Sequence, residues 1–157
     1  LGQKYDLHWK KNFPHVRFDD ISVNFNTALK GTDVYISDHL STTWLEALNL
    51  NIPTVLFIDR SIYNFSPDAW KYFNLLEESG ILHFSPLNAA KHLEKVADKL
   101  EIWWNTEKTQ KNLQTFLDVF GNNPTNGMQL WATELCRLRN SSQLNFIGQK
   151  DKYGFRK

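Results

Sequence analysis

The residues of this 157-residue sequence best suited to chemistry fall in one stretch, DVYISDHLSTTWLEALNLNIPTVLF at positions 33–57. With Ser41 as the N-cap of a helix, the unpaired backbone N–H groups of Thr42, Thr43 and Trp44 face outward beside hydroxyls and the positive end of the helix dipole. Phosphate suits such a place. Glu46 follows Thr43 and Thr42 by three and four positions and so shares their helix face, where a ribose hydroxyl would suit it; a carboxylate there also simply complements the dipole. His39, directly before the cap, could bond a phosphate, transfer a proton or hold the turn. Asp38 in the same turn and Arg60 in the later loop 59–65, which also holds Tyr63, are further candidates. No glycine-rich loop precedes Ser41, so neither a dinucleotide fingerprint nor a P-loop is present. His8, His15, His83 and His92 lack metal-ligand spacing and Cys136 stands alone, so no metal site and no cofactor is assigned.

Short β-type runs alternating with helical stretches from Val16 to Phe84 must position these residues. His15–Phe18 reads as a weak first strand, followed by a helix over 21–29 that ends at Gly31. A strand over 33–37 leads into the helix beginning at Ser41, with Leu45, Leu48 and Ile52 as its buried stripe. Pro53 stops that helix and opens Thr54–Ile58, a continuous apolar run that suits a strand covered on both faces of a parallel sheet. Ser66-Pro67 and Ser85-Pro86 each pair a cap with a proline, and so open two further helices on either side of a strand over 81–84. Trp70, Phe73 and Leu76 form the apolar face of the first. Gly80 marks its end, and Ala89, Leu93, Val96 and Leu100 run in register along the second. Helices over 106–120 and 128–138 close a domain at residues 1–140, and the polar, basic stretch 141–157 reads as a flexible tail. The fold class expected is α/β, a parallel sheet flanked by helices with C-terminal helices.

Composition excludes several function classes. Eighteen Lys and Arg against seventeen Asp and Glu give a net charge of +1, too weak a field to steer the chain onto nucleic acid or an acidic membrane. No apolar run approaches the roughly 20 residues that span a bilayer, so no transmembrane segment is expected and a cytoplasmic location fits best. A chain of this length should bury about 68–70% of its unfolded surface, enough to need no disulfide. Six Trp and an aromatic fraction of 14% supply core anchors. The start at Leu1 rather than Met suggests a fragment.

Ser41–Leu48 (STTWLEAL), Asn51–Thr54 (NIPT), Leu75–His83 (LLEESGILH) and Trp103-Trp104 together resemble transferases of bacterial surface-carbohydrate (O-antigen) biosynthesis. These are relatives of GT-B glycosyltransferases and of capsule and CDP-glycerol polymerising enzymes. The similarity runs from about Phe13 to Leu135. It implies a Rossmann-like, donor-binding C-terminal half of a GT-B-like fold, with the donor phosphate at Ser41, Thr42 and Thr43 and the ribose at Glu46. A nucleotide-activated sugar would be the substrate, and a glycan or lipid-linked molecule the acceptor. The acceptor half would precede Leu1, leaving this piece inactive alone, and a lipid-linked acceptor would place the enzyme at the inner face of the membrane. The resemblance gives Trp103-Trp104 no sugar-stacking role, and core packing suits the pair better. The competing reading is a non-catalytic nucleotide-binding or scaffolding α/β domain. A response-regulator-like signalling domain would use Asp19-Asp20, Asp38 and Asp59, but no lysine near a later strand end completes that set.

Overall fold

Three parallel strands form the frame: β1 (Tyr35–Ser37), β2 (Thr54–Phe57) and β3 (Leu82–His83), in the order β1-β2-β3. Tyr35 lies opposite Thr54, Ser37 opposite Leu56 and Phe57 opposite His83. The structure, a computed structural model, describes residues 8–17, 23–121 and 126–149, with side chains described as far as Ser141. Around the sheet lie α1 (Phe25–Leu29), α2 (Thr43–Asn49), α3 (Pro67–Glu78), α4 (Pro86–Val96), α5 (Leu100–Trp104) and α6 (Glu107–Phe120). These belong to a compact unit ending at Gly121, and a second unit, starting at Asn122, contains α7 (Gly127–Gln149). The α/β parallel-sheet architecture expected from the sequence is therefore the one observed.

The helix starts follow from their caps. Ser66 Oγ accepts the Ala69 N–H at 3.2 Å and Ser85 Oγ accepts that of Asn88 at 3.2 Å, each one residue before a proline whose missing N–H costs the first turn nothing. Thr106 caps α6 through the Thr109 N–H. At the end of α3 the chain passes Ser79 and turns at Gly80, whose φ of 75° lies in the left-handed region.

Alternation along β2 sorts the core into two layers. Leu56, with Leu82 of β3 opposite it, faces α2, α3 and α6, where Trp44, Leu48, Phe73, Leu76, Leu113 and Phe116 close a single buried cluster. Val55 points the other way, toward the side on which α4 packs against β2 and β3 and buries Ala89 and Val96. Phe73 sits among rings, 4.8 Å from Phe65 in a stacked pair and 5.3 Å edge-on to Phe116. Trp104 is buried, and its indole N–H donates to both the backbone and side-chain oxygens of Asn51 at 3.0 Å. Half-buried Trp103 donates to the Ser79 carbonyl, so both tryptophans of the pair are structural anchors.

The structure departs from the sequence expectations at five places. Residues 15–17 form no strand; all three are exposed, so no apolar side chain draws them into the sheet, while Phe18 lies outside the described residues. Residues 8–12 are helical. The helix expected from Ile21 is α1, begun at Asn24, whose side chain accepts the Asn26 N–H; Ile21 also lies outside the described residues. Leu100 does not continue α4, because a 3-10 turn at Ala97–Lys99 breaks the register and Leu100 opens α5. Finally α7 runs through Gln149, past the expected end near Leu138 and into the polar stretch that begins at Ser141.

Candidate functional site

β1 ends at Ser37, and the chain crosses from there to α2 through Asp38–Thr42 at the carboxyl end of the parallel sheet, where open α/β sheets bind their ligands. Ser41 is not the cap expected of it. The N-cap position falls to Thr42, which has helical backbone angles and makes no side-chain cap bond. The Ser41 hydroxyl turns instead to Thr43 Oγ1 at 2.6 Å, and Thr43 Oγ1 also meets the Tyr35 hydroxyl at 2.9 Å. Three hydroxyls thus share two hydrogen bonds. Since each carries one proton, one donor is left over for a ligand, and the lone pairs not used internally remain as acceptors. Without a side-chain cap, the first N–H groups of α2 carry no competing acceptor from Thr42.

The turn is fastened from both sides. Buried Ser37 donates its hydroxyl proton to the His39 carbonyl at 2.9 Å, and the Leu40 N–H donates to the Tyr63 hydroxyl at 3.1 Å. The second bond ties the loop after β2 to the loop after β1. His39 Nδ1 lies 2.7 Å from Asp38 Oδ1, an exposed pair, and this bond is the main reason the Asp38 carboxyl is held below its ordinary pKa. Glu46 is exposed on α2, one turn beyond Thr42 and Thr43.

Arg60 opens a 3-10 turn beyond β2, and its guanidinium rests 4.4 Å over the Trp70 ring and 5.3 Å from that of Phe84. The neighbouring carboxylate does not neutralise it, because Asp59 Oδ1 accepts the Ser61 N–H and hydroxyl; those bonds lower the Asp59 pKa. Among the described residues Arg60 forms no ion pair.

Of the residues singled out in the sequence, the fold joins Ser41 and Thr43 in one hydroxyl group and pairs Asp38 with His39. Thr42 is exposed and outside the hydroxyl group, and Arg60 belongs to the aromatic patch beyond β2. Sequence reasoning missed Tyr35, which reads only as a strand residue, and gave Tyr63 no role. Both act through hydroxyls at the end of a ring, reaching eight and 23 residues along the chain, and neither pairing leaves a local spacing signal. The model of a family described as LIC12162 family transferase matches residues 2–135. No curated protein and no solved structure matches the chain.

Proposed function

Because the chain belongs to the LIC12162 family of transferases, we propose that it binds an activated donor at the carboxyl end of β1, as the nucleotide-sugar-binding part of a glycosyltransferase of bacterial surface-polysaccharide biosynthesis. The observation that carries this reading is the hydroxyl group of Tyr35, Ser41 and Thr43, pre-bonded and with one donor to spare beside an uncapped helix start. In a sugar transfer, negative charge grows on the leaving nucleotide's phosphate. Donors already fixed in place stabilise that charge without reorganising. Thr42 adds a hydroxyl at the rim and Arg60 a cation on the neighbouring loop. Glu46 receives the ribose hydroxyls. The acceptor is a glycan or a lipid-linked molecule, and the reaction is cytoplasmic, at the inner face of the membrane when the acceptor is lipid-linked. Among the described residues no helix is long and apolar enough to cross a membrane.

Titration of the chain with UMP, UDP, CMP, CDP and inorganic phosphate, followed by amide chemical shifts, tests this. Shifts are expected over Asp38–Glu46; shifts confined to other parts of the unit would refute the assignment. Glu46→Gln is expected to weaken the nucleotides several-fold and leave inorganic phosphate unchanged, since only the nucleotides offer ribose hydroxyls. Equal losses would make Glu46 structural.

A further inference from the structure

The Asp38–His39 pair has a geometry that phosphate binding does not call for. The backbone of His39 is fixed by Ser37, whose hydroxyl bonds the His39 carbonyl at 2.9 Å and lies 3.5 Å from its N–H, and by the Tyr63 bond to the next residue. The side chain is free of the protein body, with 63% of its surface exposed. A rigidly held backbone presenting an exposed, singly tethered imidazole is how a fold aims a reactive group rather than how it packs one. The tether also fixes the proton. An ionised carboxylate only accepts hydrogen bonds, so the 2.7 Å contact requires Nδ1 to carry the hydrogen, and in the neutral ring Nε2 is then a bare acceptor. Among the described residues Nε2 has no hydrogen-bond partner, and it sits in the same turn as Ser41 and Thr43.

We infer that His39 is the proton acceptor for the hydroxyl that attacks the donor, and that Asp38 is the positioning residue that keeps Nε2 unprotonated and directed away from the protein. This rests on the transferase reading above and deepens it. The acceptor oxygen forms a bond to the anomeric carbon. The bond from that carbon to the donor phosphate breaks, with the electron pair remaining on the phosphate, and the acceptor's proton passes to Nε2. The resulting imidazolium is stabilised by the Asp38 carboxylate and returns its proton to water. A group so placed contributes roughly 10²–10⁴-fold to rate.

Long-range nitrogen–proton correlation spectra of the chain read the His39 tautomer directly. Nδ1–H is expected in the wild type. In Asp38→Asn the amide can donate to Nδ1, so the population is expected to move toward Nε2–H. A wild-type His39 protonated on Nε2, or a tautomer indifferent to Asp38→Asn, overturns the inference whatever the rates. Turnover in the complete gene product, with a panel of CMP-, CDP- and UDP-sugars and glycan acceptors, gives the second reading. His39→Gln is expected to lower kcat by roughly 10²–10⁴-fold with nucleotide affinity within about twofold of wild type, and Asp38→Asn to fall between the two. A His39→Gln variant that loses nucleotide affinity but keeps kcat makes His39 a phosphate contact and overturns the inference while leaving the donor site standing. Failure of the wild-type chain to bind any of UMP, UDP, CMP or CDP removes the reading beneath both.

Discussion

Gly80 shows how much one missing side-chain atom can determine. Its place after a helix is legible in the sequence, and its φ of 75° follows from the turn. What the sequence hides is the ring of His92, twelve residues on, which occupies the space where a Cβ at position 80 would project. Gly80→Ala therefore meets both a left-handed backbone and a packed imidazole, and we expect a loss of more than about 1 kcal/mol in denaturant unfolding. Truncating His92 in the same background should recover only the steric part. Ser41 illustrates the opposite kind of limit. Its residue type suits a cap, yet a second hydroxyl two residues on offers it a 2.6 Å partner, and that local competition decides where α2 begins.

At the scale of elements, helix starts were the most legible feature, because a cap is a contact between residues three apart, as at Ser66, Ser85 and Thr106. The contact between β3 and α4 was not legible. There His83 and His92 lie with ring centroids 5.1 Å apart, His92 edge-on to Trp103 at 4.8 Å, and the buried His92 Nε2 has no hydrogen-bond partner. Burial is the first cause lowering the pKa of each ring; for His92 the neighbouring His83 and Lys95 add to it, while for His83 the Gly80 carbonyl and Glu77 oppose it. Glu78 and Lys108 line a cavity that both rings also border. The folded state thus resists protonation that the unfolded chain accepts near the ordinary histidine value of about 6.5. Above that pH both states are neutral and nothing is lost. As pH falls through it the unfolded state binds protons first, so stability drops until the depressed folded pKa values are reached. Thermal unfolding from pH 7.5 down to 5 should show this decline, and His92→Asn should make it shallower even if the variant is less stable throughout. An unchanged slope would mean that the rings titrate as they do in water.

On the scale of the whole molecule, the alternation of strand and helix patterns is enough to predict an α/β parallel sheet, because a parallel strand can be reached only by a crossover. Which helix covers which face is a different question. It depends on long-range packing, and the two faces of the sheet are not treated alike. The face bearing Leu56 is closed by α2, α3 and α6, whereas on the opposite face α4 packs chiefly against β2 and β3. Ile36 of β1 stands directly beside Val55 on that second face, in register, yet 48% of its surface is exposed while Val55 has none. Neighbours of the same type in the same sheet layer therefore sit on opposite sides of the boundary that α4 draws. Val55→Ala removes two fully buried methyl groups and should cost about 2 kcal/mol, from transfer of roughly 0.8 kcal/mol each plus the cavity left behind. Ile36→Ala deletes more carbon but from a half-open position, and should cost less than about 1 kcal/mol. Urea unfolding of the two variants measures the difference directly. If Ile36→Ala proves as costly as Val55→Ala, a layer covers β1 in solution as α4 covers β2, and the boundary drawn from burial is wrong.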